Sequence, residues 1–364
     1  MGRPTLLHIN TSNAPMIFAS DNWAGASDEV MAALAKVART GGPAYGADRL
    51  TAAVEERFSD IFECEVAVFL VASGTAANAL GIAAYARPGG FILAHEDAHI
   101  LVDEAGAAEF FTGGNRVIGL EAVAGKIAPE TLFTALEDSP ERAVHHGQPV
   151  AVSLTQITEF GAAYRPAEIA ALASVARTRG LAVHMDGARF AGAVAALGMA
   201  PADITWRAGV DVLSFGGTKN GCLAAEAVIF FDPGHARDFA FARQRAGQGY
   251  SKNWFLAAQF DAYLENDRWL DFARHANRMA TLLAGKIADA RTARLALRPD
   301  ANEIFAILPT AMAAKLRAAG AAFYPWKTER FAEKPGKDEV LVRLVTSFQT
   351  SEAEIDRFGA LLNS

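Results

Sequence analysis

Residues 181–189 read LAVHMDGAR and residues 210–221 read VDVLSFGGTKNG, and these two stretches decide the fold. In each, a short apolar run leads into a charged residue among small ones, Asp186 in the first and Lys219 in the second. The two charges lie 33 positions apart, which fits one strand–helix–strand crossover of about 30 residues or more. Because such a crossover joins parallel strands of one sheet, we expect Asp186 and Lys219 at carboxyl ends of strands, on the same edge.

The same alternation extends outward along the chain. Alanine-rich helical stretches such as 166–179 separate short apolar runs that are too short for buried helices. Strands that alternate with helical connections predict a mostly parallel α/β sheet. The predicted strands lie at 66–71, 91–94, 116–119, 149–154, 181–185, 210–215 and 226–231.

The pattern changes at about residue 233. Long helical segments come first, at 251–288, and strand-like stretches follow at 302–308 and 339–346. This order is typical of a smaller α+β domain that follows an α/β domain. We therefore expect a large domain over residues 1–250 and a small C-terminal domain over residues 251–364.

Hydroxyl residues mark three helix starts. Ser27 precedes two acidic residues and a helical apolar spacing, and Ser351 forms a capping box with Glu354. Residues 73–75, Ser-Gly-Thr, come directly after a predicted strand and open a helix. The N–H groups of such a helix start bind anions such as phosphate, although a simple N-cap explains the same residues.

Composition narrows the class of function. The chain has 364 residues, 51% of them hydrophobic, and a formal net charge of −7. A surplus of negative charge gives no support to nucleic-acid binding, and the absence of a long apolar run gives none to a membrane span. Cys64 and Cys222 form neither a disulfide framework nor a C-x-x-C pair, which favours a cytoplasmic protein.

Lys219 stands apart from the other eight lysines, which lie in helical or charged contexts. Small residues around it leave room for a ligand, and apolar neighbours favour the uncharged amine that a Schiff base requires. A surface turn at Asn220-Gly221 is the plainer interpretation of Lys219 alone. Paired with Asp186, it fits pyridoxal chemistry, in which a lysine holds the cofactor aldehyde and an aspartate keeps the pyridine nitrogen protonated.

His95 and His99 follow the strand near 91–94, with acidic residues close by in the sequence. Their spacing does not match a metal-binding helix motif, so we expect no metal and regard His99 as an aromatic lid over a planar ring. Arg343 lies within a run of strong β-formers. Alternation along that strand makes solvent exposure its default, whereas a cleft would let it bind a carboxylate.

Taken in order, these motifs resemble the low-specificity threonine aldolases, which belong to the aspartate-aminotransferase-like group, fold type I, of pyridoxal-phosphate (PLP) enzymes. The resemblance covers residues 18–348 and implies a seven-stranded, mostly parallel sheet. It rests on several segments of the sequence: Ser20 to Asn22, Gly42 to Gly46, Ser73 to Thr75, Ala98 to Ile100, His184 to Arg189, Thr218 to Lys219, and Val342 to Thr346.

The resemblance also implies residue roles. Catalytic roles fall to Lys219, Asp186 and His99. Cofactor contacts are implied for Ser73, Gly74, Thr75, His99, Asp186, Arg189, Thr218 and Lys219. Substrate contacts are implied for Ser20, Tyr45, Arg189 and Arg343. Family members are usually dimers or tetramers with sites at subunit interfaces, so Tyr45 would reach across from a partner subunit.

The sequence departs from the family at one position. Many members carry a histidine where this chain has Thr158, which leaves open the base that acts on the substrate hydroxyl. The implied activity is cleavage of threonine and related β-hydroxy-α-amino acids to glycine and an aldehyde. The alternatives are a β-eliminating lyase, an aminotransferase, a non-catalytic protein of the same fold and, less well supported, a nicotinamide dehydrogenase.

Overall fold

The computed structural model describes residues 15–141 and 143–364. Its strands are β1 Met16–Ile17, β2 Ala67–Val71, β3 Gly90–His95, β4 Arg116–Leu120, β5 Ala122–Val123, β6 Lys126–Ile127, β7 Gln148–Thr155, β8 Ala182–Gly187, β9 Val212–Gly216, β10 Glu226–Phe230, β11 Arg294–Leu297, β12 Glu303–Pro309, β13 Ala321–Ala322, β14 Tyr324–Pro325 and β15 Glu339–Val345. Its α-helices are α1 Asp28–Thr40, α2 Arg49–Phe62, α3 Gly74–Ala83, α4 His99–Val102, α5 Ala107–Phe111, α6 Pro129–Glu137, α7 Pro166–Arg177, α8 Phe190–Leu197, α9 Phe239–Arg245, α10 Trp254–Leu264, α11 Arg268–Ala288, α12 Thr310–Ala318 and α13 Glu352–Leu362.

The chain divides into two compact units. One comprises Gly25–Asp271, and the other combines the described residues before Gly25 with Phe272–Ser364. The domain boundary predicted at residues 250 and 251 stays a prediction.

A seven-stranded sheet lies at the centre of the unit Gly25–Asp271, in the order β2-β10-β9-β8-β7-β3-β4. β10 runs antiparallel to both of its neighbours, and the other six strands share one direction. The predicted seven-stranded, mostly parallel sheet is therefore confirmed. Strands β3 and β8 to β10 are buried along their whole length, as expected for strands that are covered on both faces.

The unit that contains the C-terminus has a four-stranded antiparallel sheet in the order β11-β12-β15-β14. A buried apolar cluster joins this sheet to α11, α12 and α13, with Ile304, Leu344 and Phe358 among its members. The predicted α+β character of this part of the chain is confirmed. Within the predicted helical stretch 251–288, Asn266 and Asp267 have positive φ angles, which end α10 before α11 begins.

The predicted helix caps are present. The Ser27 hydroxyl accepts from the N–H of Val30, and the Ser73 hydroxyl accepts from that of Ala76 at 3.2 Å. Ser351 and Glu354 form the full capping box of α13. In the described residues, no helix combines the length and the apolar character that crossing a bilayer requires.

Candidate active site

The candidate catalytic residues of the unit Gly25–Asp271 lie at one edge of the seven-stranded sheet. The parallel strands end there, and the antiparallel β10 begins there, with Glu226 opposite both Gly216 and Val71. Asp186 is the penultimate residue of β8, and Lys219 lies in a single 3₁₀ turn just after β9. β8 and β9 are parallel neighbours, so the two residues lie on the same edge, as the sequence predicts.

Glycine lets the two strand ends approach closely. A Cβ on Gly216 would lie 2.5 Å from the carbonyl oxygen of Ala188, and a Cβ on Gly187 would lie 2.7 Å from that of Ser214. Since real Cβ atoms do not come so near to backbone oxygen, both positions require glycine. The backbone segments that carry Asp186 and Lys219 are therefore packed against each other.

Hydrogen bonds hold the turn that carries Lys219. The hydroxyl of Thr218 accepts from the N–H of Ala225 at 3.2 Å, and the Asn220 amide donates to the Tyr263 hydroxyl at 2.6 Å. Thr218 also donates hydrogen bonds to the buried carboxyl of Glu226, through its hydroxyl and its backbone N–H. The lysine is thus presented from a rigid turn rather than from a loose loop.

The Glu226 carboxyl is buried beside this turn. Burial raises its pKa to about 7, although the hydrogen bonds from Thr218 and the charge of Lys219 act in the opposite direction. Sequence reasoning did not single out Glu226, because an acidic residue at the start of an apolar strand has no motif. Its position follows only from the antiparallel pairing of β10.

Asp186 is 4% exposed. Its Oδ1 accepts from the N–H of Ala188 at 3.0 Å, and its Oδ2 accepts from Nδ2 of Asn78 at 2.8 Å. Two donors fix the plane of the carboxylate, which makes it a pre-oriented hydrogen-bond acceptor.

Two hydrogen bonds hold His99. Its backbone N–H donates to Oε1 of Glu159 at 2.8 Å, and its Nδ1 lies 2.8 Å from Oε1 of Glu104. The second oxygen of Glu159 lies 2.6 Å from Nε2 of the buried His95. The imidazole of His99 remains 41% exposed, so its position is fixed while one face and edge stay accessible.

The carboxyls around His99 have shifted pKa values. Burial raises the pKa of Glu104, and the hydrogen bond to Glu104 raises the pKa of His99. Burial opposes ionisation of Glu159, but hydrogen bonds from His95 and the His99 backbone hold its pKa below the ordinary value. Glu159 is therefore a fixed anion that positions both histidines.

One nitrogen of His99 and one oxygen each of Glu104 and Asp186 lie within 4.8 Å of one another. Such a set is chemically able to bind a cation. In this fold the amide of Asn78 donates to both carboxylates at 2.8 Å and occupies the place between them. The set is therefore organised as a chain of hydrogen bonds.

The N-terminus of α3 faces open space. A Cβ on Gly74 would meet no atom within 4 Å, and Ser73 is exposed at the N-cap. The first N–H groups of a helix, here those of Gly74 and Thr75, have no acceptor inside the helix. This end of α3 offers free N–H donors and the positive end of the helix dipole to an anion.

Thr158 is fully buried, at the position where the family resemblance leads one to expect a histidine. Its hydroxyl donates to the carbonyl of Ala124 at 2.8 Å and accepts from the N–H of Ala162 at 3.1 Å. The hydroxyl thus holds its own loop together. The neighbouring Glu159 contacts the histidines instead, a residue that sequence reasoning missed.

Two further predicted residues lie in the same unit. Arg189 is half-buried at the N-cap of α8. Tyr45 has a positive φ of 60° and is 63% exposed, with its N–H donating to the carbonyl of Ser251 at 3.0 Å. An exposed aromatic ring on a constrained backbone is typical of a contact with another molecule.

The other two predicted substrate residues lie in the unit that contains the C-terminus. The hydroxyl of Ser20 accepts from the N–H of Asn22 at 3.1 Å. Arg343 lies on β15 with its guanidinium 4.2 Å from the ring centre of Trp326 and 3.6 Å from Oε1 of Glu303. Its side chain is only 17% exposed, so the solvent-facing default that alternation predicts for Arg343 is wrong. The aromatic ring and the buried carboxylate keep the guanidinium against the sheet.

Comparisons with known proteins agree with one another. The model of the family described as "Beta-eliminating lyase" matches residues 18–311. The chain is similar to a "Low specificity L-threonine aldolase" of Pseudomonas aeruginosa, at 42% identity over 84% of this chain and 88% of that protein. It is similar to another of the same name from Pseudomonas sp. strain NCIMB 10558, at 38% identity over 94% and 96%. Among solved structures, it is similar to a threonine aldolase of Leishmania major, with a TM-score of 0.88, 26% identity, and 96% and 98% of the two chains covered.

Proposed function

The chain belongs to the beta-eliminating lyase family, among the low-specificity threonine aldolases, and on that premise we propose that it cleaves L-threonine and related β-hydroxy-α-amino acids to glycine and an aldehyde. With threonine the aldehyde is acetaldehyde. The observation that carries the proposal is the common edge of β8 and β9, where a buried carboxylate at the end of β8 and a lysine in the turn after β9 lie on neighbouring segments. Such a pair suits an amino-acid carbon–carbon lyase that uses pyridoxal phosphate.

The family depends on pyridoxal phosphate, and the residues at this edge fit that cofactor. Lys219 offers an amine for the aldehyde, and Asp186 offers a buried, oriented acceptor for the pyridine nitrogen. The open N-terminus of α3 offers N–H donors for the phosphate. Bound there, the cofactor supplies a ring that takes up the electron pair of the broken Cα–Cβ bond. Cofactor contacts are proposed for Ser73, Gly74, Thr75, His99, Asp186, Arg189, Thr218 and Lys219.

Asp186 acts through its charge. Because Ala188 and Asn78 hold it in place, the carboxylate needs no reorganisation to accept a hydrogen bond from a protonated pyridine nitrogen. Burial strengthens the attraction between these opposite charges. Its role is to keep the proton on that nitrogen throughout turnover.

His99 is the proposed base for the substrate hydroxyl, either directly or through one water. Its Nδ1 is engaged by Glu104, so Nε2 is the nitrogen left for the substrate. Thr158 is unsuited to the role of base because its hydroxyl already makes hydrogen bonds to Ala124 and Ala162. Among the described residues at this edge, His99 has a partly exposed imidazole, which supports it as the base whose identity the sequence left open.

Contacts with the substrate carboxylate are proposed for Ser20, Arg189 and Arg343, as the family resemblance implies. A guanidinium binds a carboxylate through two parallel hydrogen bonds, which fixes the rotation of the bound amino acid about its Cα. That rotation decides whether the bond to Cβ, to hydrogen or to the carboxylate is broken. A β-eliminating lyase or an aminotransferase would share the cofactor residues and differ in this orientation.

The assembly and the cell compartment also belong to the proposal. We expect a dimer or tetramer in which the exposed Tyr45 contacts the active site of a partner subunit. The location in the cytoplasm stays a prediction, based on two free cysteines.

The test compares two lysines. Wild type, Lys219→Ala and Lys252→Ala are purified with pyridoxal phosphate, and threonine cleavage is measured as acetaldehyde by a coupled dehydrogenase. Lys252 is exposed and serves as the matched control. We expect borohydride to fix the cofactor to wild type and Lys252→Ala, with peptide mapping at residue 219, and Lys219→Ala to lose trapping and turnover. Pyruvate and ammonia instead of acetaldehyde would show a β-eliminating lyase, and an active, cofactor-trapping Lys219→Ala would refute the lysine assignment.

A further inference from the structure

A continuous chain of hydrogen bonds runs from Asp186 through Asn78 and Glu104 to His99. We propose that Glu104 is a positioning residue that fixes the orientation and the reactive nitrogen of His99, and that Asn78 ties Glu104 to Asp186. The inference rests on the proposed function and deepens it, because it says how one imidazole becomes the base. Neither Asn78 nor Glu104 belongs to the residues that the family resemblance implies.

Asn78 forms the link between the two carboxylates. It lies on α3, one turn after Gly74, and is 2% exposed. Its Nδ2 donates one hydrogen bond to Oδ2 of Asp186 and one to Oε1 of Glu104, both at 2.8 Å. Its carbonyl oxygen is buried and has no hydrogen-bond partner among the residues that the structure describes. Because the side-chain NH₂ group has two hydrogens, the two carboxylates take up both of its hydrogen bonds.

Glu104 has no access to solvent through its side chain. Its Oε1 accepts from Asn78 and lies 2.8 Å from Nδ1 of His99, whereas its Oε2 is buried without a partner in the described part of the chain. A buried carboxylate needs hydrogen-bond donors in place of water, and Nδ1 of His99 is in direct contact with it. The hydrogen bond therefore places a proton on Nδ1 and leaves Nε2 as the acceptor.

The charges that face His99 come from three elements. Glu104 contacts the ring, the charge of Asp186 on β8 also favours the protonated imidazole, and the charge of Lys219 opposes it. Glu159 accepts the backbone N–H rather than a ring hydrogen. The hydrogen bond to Glu104 has the largest effect and raises the pKa of His99, so it strengthens the imidazole as a base.

The O–H bond of the substrate breaks, and its proton passes to Nε2 of His99. The electron pair left on oxygen forms the aldehyde C=O as the Cα–Cβ bond breaks, and a bound cofactor would supply the acceptor for the pair of that bond. The imidazolium is stabilised by Glu104 at Nδ1, which is the part a carboxylate plays behind a histidine base.

The experiment uses the holoenzyme and four variants: Glu104→Gln, Glu104→Asp, His99→Asn and the control Glu109→Gln. Glu109 is a half-buried carboxyl on α5 whose Oε1 accepts from the N–H of Val117 at 3.3 Å. We expect Glu104→Gln to lose about 10- to 100-fold in kcat with the cofactor still bound, a loss typical of residues that orient an active group. The acid limb of kcat/KM moves to lower pH, because the neutral amide no longer raises the pKa of His99.

The pKa of His99 is read directly by NMR titration of ¹⁵N-histidine-labelled holoenzyme, with His99→Asn to assign the signal. It falls in Glu104→Gln, stays in Glu109→Gln, and stays close to wild type in Glu104→Asp, which keeps the charge. An unchanged pKa and pH profile in Glu104→Gln overturn the proposal. If Glu104→Gln fails to fold, the Glu104→Asp variant tests the positioning role instead. Its kcat must fall by less than that of His99→Asn, and its His99 signal must still titrate as that of an imidazole paired with a carboxylate.

A double-mutant cycle separates positioning from a general structural role. If Glu104 acts through His99, the double variant Glu104→Gln/His99→Asn is no slower than His99→Asn alone. A further loss of the full Glu104→Gln factor refutes the inference. The proposed function and the positioning role can be refuted separately. A shifted His99 pKa in a protein that does not cleave threonine refutes only the proposed function. Threonine cleavage with an unchanged His99 pKa refutes only the positioning role.

Discussion

Replacing Glu226 by glutamine isolates one buried carboxyl. Burial raises its pKa from 4.5 to about 7, so between these values the folded protein keeps a proton that the unfolded chain has lost. The stabilisation from that proton is fully present below pH 4.5 and is lost as the pH rises through about 7. At about 1.4 kcal/mol per pKa unit, the loss amounts to about 3 kcal/mol.

Glutamine keeps an oxygen for the hydrogen bonds of Thr218 and never ionises. The difference in free energy of unfolding between Glu226→Gln and wild type should therefore change by about 3 kcal/mol in favour of the variant from pH 4.5 to pH 8. The assay is urea unfolding followed by tryptophan fluorescence, at fixed protein and cofactor concentrations. Because all other groups titrate equally in both proteins, they cancel in the difference. Two stability curves that stay parallel across this range would refute the reasoning.

Three further changes test the packing and the site. Gly216→Ala places a Cβ 2.5 Å from the carbonyl oxygen of Ala188, so we expect the free energy of unfolding to fall by about 1 to 3 kcal/mol. We also expect a lower cofactor affinity, measured by titration. Wild-type values for both quantities would contradict the packing argument. Ser351→Ala removes the N-cap of α13 and should cost about 1 kcal/mol in urea unfolding with kcat unchanged; a loss within error would show that the cap is redundant. Arg343→Lys gives up the planar fork stacked 4.2 Å from Trp326, so KM for threonine should rise at least about 10-fold, whereas an unchanged KM would exclude Arg343 from substrate binding.

Much of the fold was predictable because it depends on local pattern. The short apolar runs coincide with β2, β3, β4, β7, β8, β9 and β10, and strand spacing alone brought Asp186 and Lys219 to one edge. Caps at Ser27 and Ser351 depend on residues within one turn of the helix start, so the sequence displays them directly. Such features follow from chain connectivity and side-chain periodicity.

Other parts of the site depend on contacts between distant segments. Asn78 meets Asp186 across 108 positions of sequence, and His99 meets Glu159 across 60. Arg343 lies on a strand whose alternation predicts exposure, yet Trp326 and Glu303 cover it. No periodicity encodes these pairs, since each depends on which strands become neighbours.

Residue spacing was enough to predict the seven strands of the central sheet, the helix caps, and the lysine and aspartate at the strand ends, because each depends on spacing within one supersecondary unit. Three features follow from the folded chain alone: the Thr158 hydroxyl bonds within its own loop, Glu226 is buried, and Asn78 links the Asp186 carboxylate to Glu104, which in turn contacts His99. The physical reason is that burial and hydrogen-bond partners are properties of the assembled sheet edge, where segments far apart in sequence exclude water together.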